Sequence, residues 1–585
     1  MDELVINNTH ENNPKIIADE FNKFFNNIGP QLASNIQPPQ NKTIHSYLGQ
    51  PLDKIFRFEN ITESEIVKII DKLKPKTSTG HDGISVKLLK DIKNVIGKAL
   101  TLIINQTINT GIFPDTLKIA KITPLHKSND INCLNNYRPI SILPAVSKVF
   151  EKVMSNQLIK YFQNSKLFYS SQYGFRQGHS TELAILENVE RITSNLENGK
   201  NPLNIFLDLS KAFDTLDHEI LTHKLAHYGI KDKALDLCKN YLTDRKQYVC
   251  FKETNSESLS IMTGVPQGSI LGPLLFLIYI NDFPNCSKYF EFIMYADDTT
   301  LSSTITADLN ISQFSDNINT ELIKLSDWLK LNKLSLNVTK TKFIIFKPSN
   351  KQLPIPVIKI DNSNVEQVSN FNFLGIYLNE NLKWNYHTNI INKKISKVIG
   401  IMHYLKRFIP SDVLKIIYNT LILPHINYGL LAWGHQSSKT FYLQKKAVRI
   451  LTLSRRNAHS EPLFKSSNIL KIHDLYKQQE FKFYYKFVHK LLPGFFMNFK
   501  LVRHSDQHDH NTRHNNSFIT PRLKYNASKS SILKRLPGII NEAPQHVLDK
   551  VMTHSLHGFS FYYKRIKIDE YRTFCTIFNC YICQN

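Results

Sequence analysis

FEFIMYADDTTLS, residues 290 to 302, decides how this chain is read. An apolar, β-rich run ending at Tyr295 meets Ala296-Asp297-Asp298 and then a Thr-rich run, so the stretch reads as a hairpin with two carboxylates at its tip. Aspartates are common at such tips for local backbone hydrogen bonding, and two adjacent ones carry little weight alone. Neighbouring side chains on a strand point to opposite faces. Asp297 and Asp298 therefore cannot both aim squarely at one cation unless the turn twists them, and one is expected to be the main ligand, the other an accessory.

Upstream, NIFLDLSKAFDTLDH (204 to 218) contains a buried-strand-like run, Ile205 to Leu209, broken by Asp208. A charge in mid-strand is costly unless it meets a cation or hydrogen-bond partners, which makes Asp208 the most anomalous acid in the chain. Asp214 and Asp217 fall in the helical region that follows and read as capping or solvated positions. Phosphoryl transfer by two metals needs carboxylates that hold two Mg²⁺ ions roughly 3.5–4 Å apart. Asp208 on one strand and Asp297 on an adjacent hairpin would supply that clamp.

The whole chain has 585 residues, 42% of them hydrophobic, enough to bury more than one core. Its formal charge of +24 comes from 73 Lys and Arg against 49 Asp and Glu, spread along the sequence. Such a surface favours a polyanion, nucleic acid being the commonest, although an Asn- and Lys-rich coding bias would produce the same surface on a merely soluble protein. Of seven cysteines, the first four show no paired spacing, as in a reducing compartment. Cys580 and Cys583 form a CxxC with Cys575 upstream, but no second pair completes a zinc site. His504, His508, His510 and His514 read as a polar loop. The longest apolar stretch, Leu271 to Ile280, is too short to span a bilayer and the amino terminus is polar, so a soluble intracellular protein is expected.

Helical spacing of Ile16, Ile17, Phe21, Phe24 and Phe25 predicts a helix over 14–28, and Thr62-Glu63-Ser64-Glu65 opens another with a capping-box pattern. KPKTSTGHDG (74 to 83) reads as a loop. From 115 to 380, short strands alternate with helices and Gly/Pro turns, an α+β pattern. Helices dominate again from Tyr386 to Leu453, with Ile390, Ile391, Ile395, Val398 and Ile399 on an apolar face. The tail beyond about 455 is basic and His-rich.

FLDLSKAFD, then GVPQGSILGPLLFLIYIND (264 to 282), then YADD, in this order and at these separations, resemble the palm of reverse transcriptases from LINE-type non-LTR retrotransposons, closest in texture to the jockey and CR1 groups. NNYRPISILPAVSKVFEKVM (135 to 154) and SQYGFRQGHSTELAI (171 to 185) resemble the family's finger segments. LSLNVTKTKFIIF (334 to 346) and FNFLGIYLNENLKW (371 to 384) resemble its last palm elements, so the likeness covers roughly residues 60 to 455. The tail's NTR at 511 to 513 also matches.

The resemblance implies an α+β right-hand polymerase: an N-terminal helical linker segment (1–60), fingers and an antiparallel-sheet palm (61–380), a helical thumb (381–455) and a mostly helical, basic C-terminal extension (456–585). It implies an RNA-directed DNA polymerase that extends a DNA primer on an RNA template by two-metal nucleotidyl transfer, with two Mg²⁺ or Mn²⁺ ions. Its partners would be template RNA, a DNA primer or target DNA and deoxynucleoside triphosphates, with assembly in a cytoplasmic ribonucleoprotein and action at nuclear target DNA. Carried over by position, Asp208 and Asp297 would hold metal, with Asp298 as third acid and the Leu209 carbonyl as a backbone ligand. Phe213 would lie under the sugar and exclude a 2′ hydroxyl. Arg176 would grip the triphosphate. Gln267 and Gly268 would pack against the incoming base and template, and Lys340 or Lys342 would protonate pyrophosphate. Phe373, Leu374 and Gly375 resemble the primer grip, and Trp384 reads as core. Lys393, Lys394, Lys397, Lys406 and Arg407 suit a thumb that follows the nucleic-acid backbone. Residues 1–60 are too few for the endonuclease domain that usually precedes the polymerase, so target-site nicking is not expected of this chain. The alternatives are a group II intron maturase-like polymerase and a catalytically silent RNA-binding relic.

Overall fold

The computed structural model describes residues 3–6, 9–127, 130–306, 310–507 and 515–573. Cys575, Cys580, Cys583, His508, His510, His514 and the NTR at 511–513 lie outside the described residues.

Helix α1 (Pro14–Ser34) starts where Asn13 accepts the Lys15 N–H and Pro14 takes the first helical position, and it runs past Ile28 through Pro30. Its stripe of Ile17, Phe21 and Phe25 needs a partner and finds one in Tyr137 and Val249 of a sheet. The N-terminal segment is thus packed as a layer, not strung as a linker. Thr62 and Glu65 make the reciprocal capping bonds expected at the head of the helix Glu63–Lys72, and residues 74–83 form a loop.

The strands that frame the site are β1 (Ile119–His126), β2 (Tyr137–Ile142), β3 (Asn201–Leu207), β4 (Lys246–Phe251), β5 (Glu291–Tyr295), β6 (Asp298–Ile305) and β7 (Lys342–Ile345). In the first sheet β1 pairs antiparallel with β2 and parallel with β4. In the second the order is Glu366–Gln367, β7, β3, β6, β5, antiparallel but for the Glu366 edge. Every residue of β3 is buried, because both faces of the sheet are covered. Leu203, Ile205 and Leu207 join a core with Gly272–Ile280 and Ile311–Leu331, while Phe206 joins a second core with helix α2 (Thr181–Glu197). The apolar stretch around Leu271 to Ile280 is one of these core helices, and among the described residues no helix is long and apolar enough to cross a membrane.

From helix α3 (Asn385–Leu405) onward the chain is helical, and its core does not break at 455. Ile391 and Ile395 of α3 share one cluster with Ile472 and Phe483 of helix α4 (Ile472–Val488) and Leu536 of helix α5 (Ile532–Asn541). The Trp384 indole donates to Ser530 Oγ at 2.9 Å. The buried Glu190 of α2 accepts from Ser531 Oγ and from the Leu533 N–H at 3.1 Å. Residues beyond 455 therefore pack as part of the helical region before them. The mixture of sheets and helices is the α+β class the sequence suggests.

Candidate active site

Tyr295 pairs with Asp298, so the turn of the β5–β6 hairpin is the two residues Ala296 and Asp297. Ala296 takes a left-handed φ of 55°, uncommon for a residue with a Cβ. Gln172 holds it there: its Oε1 accepts from the Ala296 N–H at 3.0 Å and the Gly174 N–H at 2.8 Å. Residues 171–173 run along β5, exchanging backbone bonds with Met294. A Cβ at Gly174 would stand 2.4 Å from the Ala296 nitrogen, so only glycine lets the loop approach the turn this closely. Sequence reading passed over Gln172 and Gly174, since nothing but strand pairing links them to residue 296.

Asp208 does not sit in mid-strand. β3 ends at Leu207, and the Asp208 side chain is 43% exposed. Its last rung to β6 is Leu207 with Thr299; beyond it the chain bridges Leu209 to Leu336. The Asp208 carbonyl accepts the Asn337 N–H and the Ser210 N–H donates to Ser335, both at 2.8 Å. In this pattern the Leu209 carbonyl faces away from 335–337, towards the hairpin. One step past the last rung, Asp208 stands across from Asp298. The mid-strand cost argued from sequence thus falls away, while the position stays.

Burial raises the Asp297 pKa, its own backbone hydrogen bond opposes this, and Asp208 adds repulsion. Although Asp298 opens to solvent, the surrounding protein first and then Asp297 and Asp208 push its pKa up to about 6. Three hard oxygen donors that repel one another suit a divalent cation in chemistry and charge. As they stand they do not close on one point: among the described residues no three His, Cys, Asp or Glu side chains are arranged to share an ion. The backbone gathers the carboxylates, and rotation of their side chains would be needed to enclose one.

Cations face these acids. Lys340 Nζ lies 3.7 Å from Asp208 Oδ2, whereas Lys342 is paired with Glu366 at 2.6 Å; of the two lysines, the structure brings only Lys340 to the acids. Lys127, just past β1, and Arg138, on β2, both pull the Asp297 pKa down. Burial lowers the Lys211 pKa, and the like charges of Lys127, Arg138 and Lys340 add to it. Lys127 and Arg138 were not singled out from sequence, because only the folding of the first sheet over the second brings them here; Lys211, three residues after Asp208, was passed over as one more surface lysine. Arg176, which was, turns inward: its guanidinium donates to the Tyr169 and Gln172 carbonyls at 2.8 and 2.9 Å and lies 5.0 Å above the Phe168 ring. Burial lowers its pKa to about 10. Through Nη1 it braces the 169–176 loop, while its Nε is buried without a partner.

Phe213 stacks on Phe276 at 4.5 Å and meets Phe175 edge-on. Gln267 is committed within the protein, its Nε2 donating to both oxygens of Asp214 at 2.8 and 2.9 Å. Asp214 is thus neither a cap nor a solvated acid, whereas Asp217 does cap, accepting the Ile220 N–H at 3.0 Å. Gly268 lies against β2, where a Cβ would come within 2.4 Å of the Ser141 carbonyl. Phe373 ends the strand Asn370–Phe373, and Leu374 and Gly375 turn it into the strand Ile376–Asn379. Phe371 stacks on Phe206 of β3 at 4.1 Å, and the Leu374 carbonyl accepts the Tyr428 hydroxyl. Trp384 is core, 1% exposed.

The chain is similar in sequence to known proteins. Relatives include the RNA-directed DNA polymerase from mobile element jockey of Drosophila melanogaster, 25% identical over 445 residues, 73% of this chain and 48% of the relative. The probable RNA-directed DNA polymerases from the transposons X-element and BS of the same organism are 26% and 28% identical, over 72% and 69% of this chain and 48% and 46% of theirs. The chain spans about half the length of these curated relatives. The family described as reverse transcriptase (RNA-dependent DNA polymerase) matches residues 125–378. That span holds Asp208, the Ala296-Asp297 turn and Gln172, which locks it, so the part of the chain that carries the site is the part similar to reverse transcriptases, as the longer matches to the jockey, X-element and BS proteins are to RNA-directed DNA polymerases.

Proposed function

We propose that the chain is an RNA-directed DNA polymerase that extends a DNA primer on an RNA template. The observation that carries this reading is the meeting of Asp208, Asp297 and Asp298 at one end of the second sheet, opposite Lys127, Arg138 and Lys340. Acids that can hold cations beside basic groups that can hold phosphates make a site for a metal-bound triphosphate. Asp208, Asp297 and the Leu209 carbonyl would hold Mg²⁺ or Mn²⁺, with Asp298 in support; the metal supplies charge neutralisation at the attacking and leaving oxygens. Lys127 and Arg138 replace Arg176 as the groups that seat the triphosphate. Lys340, beside Asp208, is placed to give a proton to departing pyrophosphate. Phe213 lies under the sugar.

In this reading the first sheet with α1 forms the fingers, the second sheet the palm and the helices from Asn385 the thumb, continued by the packed C-terminal helices. The 370–379 hairpin would hold the primer end, and the exposed lysines of α3 would follow the duplex. The direct test is incorporation of deoxynucleotides on an RNA template with a DNA primer, with and without Mg²⁺; no magnesium-dependent extension would refute the reading.

Two expectations separate the residues. Arg138→Ala should raise KM for deoxynucleotides about tenfold or more, the worth of a charge-assisted hydrogen bond, while Arg176→Ala should lower thermal stability and change KM less; the reverse pattern would restore Arg176 to the triphosphate. Phe213→Val should admit ribonucleotides, and unchanged sugar selection in primer extension would remove the gate role.

A further inference from the structure

Asp214 follows Phe213 directly, and its surroundings give it more than a local role. Both of its carboxylate oxygens accept from Gln267 Nε2. Gln267 in turn accepts the Ser141 N–H of β2 on its carbonyl at 2.8 Å, so Asp214 is tied through one residue to the strand that carries Arg138. The backbone repeats the tie: the Phe213 carbonyl accepts the Val265 N–H at 3.0 Å and the Leu216 carbonyl the Gly264 N–H at 2.7 Å. Glycines bring the pieces together. At Gly264, with φ +81°, a Cβ would come within 2.8 Å of the Asp214 carbonyl oxygen. At Gly29, in the middle of α1, it would come within 2.4 Å of that oxygen and of Thr263 Oγ1.

Between α1 and this junction lies a cavity of about 40 Å³, lined among others by Asn26, Ser141, Asp214 and Gln267, with Asn26 Oδ1 buried and unpartnered. That volume suits water and not a nucleotide, so the junction is a brace and not a second substrate pocket. Burial pushes the Asp214 pKa up to about 6, against the pull of Gln267 and Lys211, which leaves the carboxyl mostly ionised and accepting near neutral pH.

We propose that Asp214 is a positioning residue for sugar selection: by clamping Gln267 it fixes Phe213 relative to β2 and its Arg138, and α1, through Gly29, presses the clamp shut. This rests on the reading of Phe213 as the sugar gate. It also gives the N-terminal helix, far from the acids in sequence, a part in choosing the substrate.

The test measures kcat and KM for a deoxynucleotide and its ribonucleotide with the full chain on an RNA template and DNA primer. Asp214→Ala should narrow the discrimination about tenfold, mainly through the KM values, and Asp214→Asn, which keeps an acceptor for Gln267 Nε2, should restore most of it. Gly29→Ala improves helix propensity yet pushes on the Asp214 carbonyl; it should narrow discrimination in the same direction while the protein stays folded, which keeps the test open should Asp214→Ala not fold. Phe213→Val is the control. If it admits ribonucleotides and neither Asp214→Ala nor Gly29→Ala changes discrimination, the clamp is overturned while the gate stands. If Phe213→Val also changes nothing, the gate reading fails and the clamp falls with it.

Discussion

Alanine at Asp208 or at Asp297 is expected to lower magnesium-dependent primer extension on RNA at least ~10³-fold, because a metal-held transition state loses several kcal/mol with one direct ligand. Folding should not suffer. Asp208 lies just beyond a strand end with its side chain 43% exposed, and Asp297 sits in a turn whose shape is set by the Gln172 bond to the Ala296 backbone. Both carboxylates repel their neighbours, so removing one relieves strain that the fold carries for function, and thermal unfolding should stay level or rise slightly. Asp298→Ala should cost less activity than either. Full extension rates in both the Asp208 and Asp297 variants would end the assignment of these acids to metal.

The largest expected effect on stability lies elsewhere. Lys224 and Asp282 are an ion pair with side chains 0% and 1% exposed, Nζ 2.5 Å from Oδ1. Lys224 also donates to the Tyr279 carbonyl, and the Trp328 indole donates to the other Asp282 oxygen at 2.9 Å. The pair joins the helices His218–His227, Gly272–Ile280 and Ile311–Leu331 beneath the second sheet. Lys224→Met leaves Asp282 charged and buried with only the indole for company, at a cost of about 3–5 kcal/mol. Denaturant unfolding measures it, and a loss below about 1 kcal/mol would mean that water or rearrangement reaches the carboxylate. Adding Asp282→Asn should recover much of the loss, since the charge is then gone and the indole keeps its acceptor.

The hairpin at 290–302 was legible because its signals are local: an apolar run, a turn and another strand within thirteen residues. The place of Asp208 was legible as well, but not its environment. The run from Ile205 to Leu209 looks like one strand in sequence, whereas the ladder changes partners at Leu207, and only the partner strands record that change. The bonding of Arg176 was hidden for the opposite reason. A guanidinium in a Gly-rich loop looks exposed, yet this loop folds back so that its own carbonyls capture it. Lys127 and Arg138 were invisible as site residues because their approach to Asp297 depends on two sheets meeting, over a separation of more than 150 residues, and no periodicity encodes that.

Helix α2 has a consequence for how the molecule carries load. Its Glu187 accepts from Ser171 and Tyr173, the segment that steadies the Ala296-Asp297 turn. One turn on, Glu190 accepts from Ser531 and Leu533, and Glu197 from Lys524 and Ser528. One rod therefore bonds the support of the Ala296-Asp297 turn near its middle and the C-terminal segment over its second half. A push against the helical region reaches the turn's support through a single stiff element. Cutting the chain at 455 would strand the buried Glu190 without its Ser531 and Leu533 donors and leave the second half of that rod without its packing partner.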